Sequence, residues 1–230
     1  MSQQFYPIQV SDIYKTTADC SVVTFEIADE LKETFAYKQG QYLTLKAVIN
    51  GEEVRRSYSM CSSPVTGEKI TIAVKQVDGG KMSNYLNTSL KEGDVLDIMP
   101  PMGKFILNPS PSSANHYFMF GGGSGITPLL SIIKTALKEE PNSYCYLVYA
   151  NRNEESVIFK DQIDALESAY ANFKVVYSHD NPTGQWLGLR GFLTEEKVSE
   201  IVRQELGLNY PTARYYTCGP GIMMNLVVQG

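Results

Sequence analysis

The sequence lacks the features that mark several large classes of protein. No apolar run approaches the roughly 20 residues needed to span a bilayer, and the N-terminus has neither the basic nor the apolar segment of a secretory signal. The 230 residues carry 20 basic and 25 acidic side chains, a formal net charge of −5. Such a chain has no excess of cations to displace the counterions of a nucleic acid. We therefore predict a cytoplasmic protein that neither inserts into membranes nor binds nucleic acid.

Cysteine and histidine are too few and too scattered to predict a metal site. The four cysteines, none of them in a C-x-x-C pair, are Cys20, Cys61, Cys145 and Cys218. This scatter favours free thiols in a reducing compartment over a disulfide framework, a zinc site or an iron–sulfur cluster. A Ser-His-Asp hydrolase would have to use His116 or His179, the two histidines of the chain. Hydrophobic residues make up 43% of the sequence, which is enough to bury a core.

The first hundred residues have the pattern of an antiparallel β domain. Short alternating strands separated by turn residues are predicted at 21–27, 42–48, 69–77 and 94–99. Asn50-Gly51 is typical of a two-residue hairpin turn, and Pro100-Pro101 is expected to end the last of these strands. One short helix is predicted within 83–90. We predict a β-barrel domain over residues 1–109.

From residue 114 onwards the predicted strands alternate with helices. The strands lie at 116–120, 144–150, 173–178 and 214–218, and the helices at 127–139, 156–171 and 194–206. This alternation predicts an α/β domain over residues 114–230, built on a doubly wound parallel sheet. The proline- and serine-rich segment 108–113 would link it to the first domain. Ligands of such sheets bind at the carboxyl ends of the strands.

A glycine-rich turn stands where such a sheet would bind its ligand. Gly121-Gly122-Gly123-Ser124-Gly125-Ile126-Thr127-Pro128 follows an apolar strand and opens an amphipathic helix. Glycines allow a close approach of the backbone, and a helix N-terminus attracts phosphate, with Thr127 as a further donor. The spacing departs from G-x-G-x-x-G, because Ile126 or Pro128 replaces the third glycine. We predict a pyrophosphate-binding loop, with a plain glycine turn as the alternative.

Three further motifs are weak when each is taken alone. Arg56, Tyr58 and Ser59 lie close together on a predicted strand, where we expect them to point to one side. A guanidinium suits phosphate and a phenol ring stacks on a planar ligand, but an ordinary half-exposed strand has the same composition. Gly80 with Ser83 suits either an anion or a simple helix cap. Cys218 ends the last predicted strand, where it would either contact a ligand or be an ordinary buried small residue.

Taken together, the four motifs resemble the ferredoxin–NADP reductase superfamily over essentially the whole chain. The residues that carry the resemblance are Arg56-x-Tyr58-Ser59, Gly80-x-x-Ser83, Gly123-x-Gly125-x-x-Pro128 and Cys218-Gly219-Pro220. The local sequences Arg55-Arg56-Ser57-Tyr58-Ser59-Met60-Cys61 and Tyr149-Ala150-Asn151-Arg152 are most similar to reductase components of oxygenases. The resemblance implies an enzyme that takes hydride from NADPH or NADH onto FAD, with FMN less favoured. It also implies that electrons pass singly to an iron–sulfur centre.

The resemblance also implies roles for individual residues. Tyr58, Ser59 and Cys218 would be the catalytic residues, beside the flavin ring and the nicotinamide. Those implied to hold the flavin are Arg56, Tyr58, Ser59, Ile72, Val74, Lys75, Gly80, Met82 and Ser83. Those implied to hold the nicotinamide nucleotide are Gly122, Gly123, Gly125, Thr127, Arg152, Cys218, Gly219 and Pro220. Arg152, with Arg190 as the weaker candidate, would pair with a 2′-phosphate and favour NADPH. No residue is assigned to a metal.

The iron–sulfur signature of many oxygenase reductases is missing from the sequence. No C-x4-C-x2-C spacing occurs, and the sequence ends about one helix after Cys218-Gly219-Pro220, where the family usually continues into a further strand. We therefore expect a longer natural chain, or a partner, to carry a [2Fe–2S] centre that feeds an oxygenase. The alternative from another class is a non-catalytic nucleotide-binding or regulatory module on the same scaffold.

Overall fold

The chain folds into two compact units, each with its own core. The computed structural model describes residues 4–207 and 212–230. One unit comprises residues 1–108 with 130–135, and the other comprises residues 109–129 with 136–230. Within the described ranges, none of the helices combines the length and the apolar character needed to cross a bilayer.

The first unit is a six-stranded antiparallel sheet that curls into a half-barrel. Its strands are β1 (Tyr6–Thr17), β2 (Cys20–Glu26), β3 (Tyr42–Ile49), β4 (Glu52–Ser59), β5 (Thr71–Lys75) and β6 (Val95–Met102). They lie in the order β4-β3-β6-β1-β2-β5. The two edge strands approach each other where Met60, just after β4, forms an antiparallel bridge with Ile72 of β5. The predicted antiparallel architecture is confirmed.

The turn between β3 and β4 has the predicted geometry. Asn50 and Gly51 have φ angles of +52° and +80°, and positive values at both positions are what a type I′ hairpin requires. The two strands pair in unbroken register from Tyr42–Ser59 to Ile49–Glu52. This turn therefore fixes which residues of β4 share a face.

The predicted end of β6 at Pro100-Pro101 is wrong. The strand continues through both prolines to Met102. Its register with β3 shifts between Tyr42 and Thr44. A bulge of this kind leaves positions that need no backbone N–H, which is why two prolines are tolerated there.

The single helix of the first unit, α1 (Lys81–Thr88), begins two residues before the predicted segment. Lys81 forms an ion pair with Glu52, the first residue of β4, and α1 packs against β3, β4 and β5. The start of this helix is thereby held beside the β4 strand.

The second unit is a five-stranded parallel sheet with helices, as predicted. Its strands are β7 (His116–Gly122), β8 (Tyr144–Asn151), β9 (Phe173–His179), β10 (Leu189–Arg190) and β11 (Arg214–Cys218). Its helices are α2 (Ile126–Glu139), α3 (Lys160–Ala169), α4 (Glu195–Leu206) and α5 (Gly221–Gln229). Residues 130–135 of α2 are the segment that is grouped with the first unit. The strand order is β10-β9-β8-β7-β11. Because β8 and β11 flank β7 on opposite sides, the order reverses there, and the carboxyl ends of β7 and β11 border the crevice that binds ligands in such sheets.

The second helix of this unit starts later than predicted. Residues 156–159 were expected to be helical, but a 3-10 turn at Glu154–Ser156 comes first, and α3 begins only at Lys160. Phe159 has a φ angle of +62°, a left-handed conformation that cannot continue a right-handed helix. Ile158 and Phe159 are nevertheless buried, so the apolar spacing reflected burial rather than a helix face.

A buried carboxylate joins three segments of the second unit. Glu140, at the end of α2, accepts hydrogen bonds from the Tyr117 hydroxyl at 2.7 Å, the Ser143 hydroxyl at 2.6 Å and the Ser110 N–H at 3.0 Å. Burial acts to raise the pKa of this carboxyl, but the hydrogen bonds from Ser143 and Tyr117 lower it below its usual value. The ionised carboxylate therefore links the segment before β7, the β7 strand and the end of α2 through hydrogen bonds.

We predict that Glu140→Ala lowers the free energy of unfolding of the second unit by about 2–3 kcal/mol, because buried donors lose their acceptor. Trp186 is the one tryptophan of the chain, so urea unfolding followed by its fluorescence measures this unit. Glu139 is the less buried neighbour and serves as the control. Glu139→Ala should lower the free energy of unfolding by less than about 0.5 kcal/mol. Equal losses in the two variants would contradict the role given to Glu140.

Candidate flavin and nucleotide sites

The end of β4 presents an arginine and a tyrosine on one face. In an unbroken ladder, residues two apart share a face, so Arg56 and Tyr58 lie together and Ser59 lies on the opposite side. The expectation that all three point to one side is therefore wrong for Ser59. Tyr58 is half-buried against the barrel core. Burial raises its pKa to about 12, although the charge of Arg56 opposes the rise, so the phenol is neutral at physiological pH.

The guanidinium of Arg56 is exposed and available to an anion. Its Nη1 donates to the carbonyl of Arg55 at 2.7 Å, and within residues 4–207 and 212–230 it forms no ion pair. Arg55 differs, because its guanidinium pairs with Glu53 at 2.7 Å. Arg56 is therefore the arginine of this pair that suits a phosphate.

The hydroxyl of Ser83 forms hydrogen bonds within the turn before α1. The Ser83 hydroxyl accepts the N–H of Val77 at 3.2 Å and donates to the carbonyl of Gly80 at 3.3 Å. A Cβ on Gly80 would lie only 2.5 Å from Ser83 Oγ, so the glycine is required by the turn itself. No acidic residue occupies the first turn of α1, which leaves its N-terminus favourable to an anion.

The other residues predicted to hold the flavin are three core side chains and one lysine. Ile72, Val74 and Met82 are buried in the barrel core. The ammonium of Lys75 lies 3.6 Å from the carboxylate of Asp19. The three apolar side chains belong to the core against which Tyr58 packs, and their contact with a flavin stays a prediction.

In the second unit, the glycine-rich loop meets the loop that follows β11. A Cβ on Gly125 would overlap the carbonyl of Cys218, and one on Gly122 would lie 2.8 Å from both Pro220 Cδ and Met223 Sδ. A Cβ on Gly219 would lie 3.0 Å from the backbone of Gly122. The structure thus brings together two motifs that stand nearly a hundred residues apart in the sequence. These glycines serve first to let the two loops touch.

Gly123 and Ser124 form the part of the loop that faces outward. Gly123 has a φ angle of +51°, and a Cβ there would meet nothing within 4 Å. Ser124 is exposed. Thr127 is buried, and its hydroxyl donates to the carbonyl of Ser124 at 3.1 Å, so it closes the turn instead of projecting as a free donor. The first turn of α2 carries no acidic residue, and the loop therefore fits a pyrophosphate.

Cys218 lies at the meeting point as a neutral thiol. Its side chain is half-buried, and burial raises its pKa above the ordinary value. A protonated thiol is a poor nucleophile. The arrangement therefore suits a contact residue and not an attacking group.

The two arginines proposed for a 2′-phosphate have different surroundings. Arg190 donates to the carbonyls of Thr183 and Gly184, each at 3.4 Å, and to that of Trp186. Its guanidinium therefore fixes its own loop. Arg152 is exposed directly after β8, at the carboxyl edge of the sheet.

Two buried polar residues lie at this edge, to which the sequence pattern assigned no role in nucleotide binding. Asn151 and His179 end β8 and β9 and are register partners, with exposed fractions of 5% and 0%. Among the described residues, neither amide atom of Asn151 and neither ring nitrogen of His179 has a hydrogen-bond partner. The ring of Trp186 lies 4.2 Å from that of His179. The available signal was that each is the polar residue ending a parallel strand.

Comparisons with known proteins agree with this geometry. Residues 7–106 match the oxidoreductase FAD-binding domain and residues 119–229 the oxidoreductase NAD-binding domain. The chain is 35% identical to one subunit of the 1,2-phenylacetyl-CoA epoxidase of Escherichia coli, over 96% of this chain and 62% of that protein. It is 36% identical to the ferredoxin reductase component of 3-ketosteroid-9-alpha-monooxygenase from Rhodococcus rhodochrous, over 96% of this chain and 59% of that protein.

A solved structure shares the fold. The CS-b5R domains of human Ncb5or, in the NAD+ form, superpose with a TM-score of 0.86 at 22% identity, over all of this chain and 66% of that one. The chain spans about 60% of the length of the two curated relatives named above.

The two matched domains define the chain as an oxidoreductase that binds FAD and a nicotinamide nucleotide. It belongs to the ferredoxin–NADP reductase superfamily, as predicted, and its relatives include reductase components of oxygenases. Since both domain models are of oxidoreductases, the comparisons favour an enzyme over a non-catalytic binding module.

We predict that the second unit loses stability as the pH falls below about 6.5. Burial lowers the pKa of His179, although the charges of Glu154 and Asp180 oppose the shift. The unfolded chain takes up a proton near pH 6.5 that the folded unit resists, so the free energy of unfolding falls until the folded-state pKa is reached. Urea unfolding at pH 7.5 and 5.5, followed by Trp186 fluorescence, measures the loss.

The two histidines provide a matched pair of variants for this measurement. His179→Leu should remove most of the difference in the free energy of unfolding between pH 7.5 and pH 5.5. His116→Leu is the control and should keep the share of that difference that His179 causes. If the loss is the same in wild type and His179→Leu, the buried imidazole is not its source.

Proposed function

We propose that this protein takes hydride from NAD(P)H onto bound FAD and passes the electrons singly to an iron–sulfur centre. One observation carries the proposal. At the switch point of the parallel sheet, the Gly122–Gly125 loop and the Cys218–Pro220 loop touch and leave Gly123 and Ser124 facing outward, in a chain whose other unit matches an FAD-binding domain.

The flavin supplies the redox chemistry, because it accepts a hydride and can release electrons one at a time. Arg56 would bind its diphosphate, together with the N–H groups at the start of α1. Tyr58 would support the isoalloxazine ring with the face of a neutral phenol. For Ser59, on the opposite face of β4, we propose a contact to the ring through its main chain.

The second unit would bind and orient the electron donor. The backbone of Gly123 and Ser124 would hold the pyrophosphate, and the uncharged thiol of Cys218 would lie against the nicotinamide with Gly219 and Pro220. Hydride transfer needs no protein acid or base. This agrees with the neutral state of Tyr58 and Cys218, whose raised pKa values keep both groups protonated.

Two charged residues bear on the choice between NADPH and NADH. Arg152, after β8, suits a 2′-phosphate. Asp180, after β9, donates its N–H to the carbonyl of Asn151, and its exposed carboxylate would instead favour a ribose hydroxyl. The preference for NADPH inferred from Arg152 remains a prediction, to be ranked by kcat/KM for the two donors.

The proposed acceptor is an iron–sulfur protein or domain that serves an oxygenase in the cytoplasm. Support comes from the relatives, one a subunit of an epoxidase and the other the ferredoxin reductase component of a monooxygenase. The chain spans about 60% of the length of these relatives, and the acceptor we propose is a further domain or a separate partner.

We predict that the chain incubated with FAD shows a flavin spectrum that bleaches when NADPH is added without oxygen. Arg56→Ala should raise the Kd for FAD about tenfold or more, because a charge-assisted hydrogen bond to the diphosphate is lost. Flavin retained after gel filtration, measured by absorbance, gives the comparison.

The neighbouring arginine is the matched control. Arg55→Ala removes a guanidinium that is already paired with Glu53 and should retain flavin like the wild type. A wild-type chain that carries no flavin after incubation with excess FAD and gel filtration would disprove the proposal. Equal retention of flavin by Arg56→Ala and Arg55→Ala would disprove the role of Arg56.

A further inference from the structure

A buried tyrosine lies directly beneath the outward-facing part of the glycine loop. Tyr149 is fully buried on β8 and is the register partner of Gly121 on β7. Its hydroxyl donates to the carbonyl of Gly123 at 2.9 Å. The ring is also close to the loop, because a Cβ on Gly121 would lie 3.4 Å from Tyr149 Cδ2.

The carbonyl that accepts this hydrogen bond is held by two donors. Gly123 also accepts the N–H of Ile126, and a carbonyl oxygen has two lone pairs for the purpose. The described peptide bonds are all trans, and in a trans peptide the C=O and the following N–H point in opposite directions. Anchoring the Gly123 carbonyl towards Tyr149 therefore turns the N–H of Ser124 away from it.

This peptide needs an anchor because glycine alone does not fix it. Gly123 has a φ of +51° and open space where a Cβ would stand, so sterics do not restrict its rotation. Ser124 is exposed, on the part of the loop that a ligand can approach.

The same hydroxyl also lies near the start of α3. Tyr149 Oη is 3.4 Å from the carbonyl of Ile158, the residue before the left-handed Phe159. A hydroxyl has one proton to donate, and the shorter distance assigns that proton to Gly123. Tyr149 thus lies between the glycine loop and the turn that opens the next helix.

We propose that Tyr149 is a positioning residue that orients the Gly123–Ser124 peptide so that its N–H receives the pyrophosphate of the nicotinamide nucleotide. The inference rests on the proposed nucleotide site and deepens it. The sequence gives Tyr149 no role of its own beyond its place in the Tyr149-Ala150-Asn151-Arg152 segment, since its ring also packs in the sheet.

A tyrosine on the adjoining strand separates this role from ordinary packing. Tyr177 of β9 is the register partner of Tyr149, and the two ring centroids lie 6.2 Å apart. Its hydroxyl donates to the carboxylate of Asp164 on α3 at 2.6 Å and not to the loop. Tyr149→Phe and Tyr177→Phe each remove one hydroxyl from the same sheet and keep the ring.

The test is calorimetric titration of the FAD-loaded chain with ADP, which carries the diphosphate without the nicotinamide. Tyr149→Phe should raise the Kd for ADP about five- to tenfold, and in turnover with NADPH the change should fall mainly on KM and not on kcat. Tyr177→Phe should leave the Kd for ADP and the KM for NADPH near wild type.

A second variant covers the case in which Tyr149→Phe is poorly folded. Gly123→Ala keeps Tyr149 but strains the left-handed φ, and it should also weaken ADP binding. If wild type binds ADP and a folded Tyr149→Phe binds it equally well, the inference fails and the proposed function stands. Where Tyr149→Phe does not fold, wild-type affinity in Gly123→Ala is the result that overturns the inference. Equal weakening by Tyr149→Phe and Tyr177→Phe would likewise overturn it, as a general packing effect. If wild type does not bind ADP, the proposed nucleotide site fails, and the inference with it.

Discussion

The backbone contact between two loops at the edge of the parallel sheet determines where the second unit can bind a ligand. Gly125 lies so close to the carbonyl of Cys218 that no side chain fits between them, and Gly122 is pressed against Pro220 and Met223. This contact follows from the topology, because β7 and β11 are neighbours in the sheet although they are far apart in sequence. With the other glycines used in packing, Gly123 and Ser124 remain as the surface that a phosphate can approach.

Local charge, and not the charge of the whole molecule, has to attract an anionic ligand here. The chain carries a net charge of −5, which opposes the approach of a dinucleotide. The first turns of α1 and α2 contain no acidic residue, so each helix N-terminus keeps its favourable dipole. In the first unit the exposed guanidinium of Arg56 on β4 adds a full positive charge. Each unit therefore offers its own small region that suits phosphate.

The sequence pattern was sufficient to predict the architecture but not several of its local departures. Alternation of period two, and then of strand with helix, distinguished the two units because each pattern reports directly on burial. The failures have specific causes. The β6 strand passes through Pro100-Pro101 because a register shift relieves its pairing with β3. The start of α3 is delayed by the left-handed Phe159, whose apolar side chain gave no sign of that backbone conformation.

The motifs of the candidate sites were found from the sequence, but the contacts between them were not. The glycine loop and the Cys218 loop were recognised separately, but their mutual contact depends on strand order, which spacing does not reveal. Ile72 and Val74 have buried side chains in the barrel core, and their expected place beside a cofactor stays a prediction. Asn151 and Tyr149 were noted within the Tyr149-Ala150-Asn151-Arg152 segment, and His179 only as a histidine, but none received a role in the nucleotide site, because their surroundings come from register between parallel strands. Residues that act through a neighbouring strand are the ones that a linear pattern cannot show.

The central claim is that hydride moves directly from the nicotinamide to the flavin of this chain. The most direct test is the rate of flavin bleaching, followed anaerobically in a single turnover, with NADPH that carries deuterium on one or the other face of C4. The account predicts slower bleaching with one of the two deuterated forms and an unchanged rate with the other, since the protein holds the ring in one orientation. Equal rates with both forms and with unlabelled NADPH would contradict it.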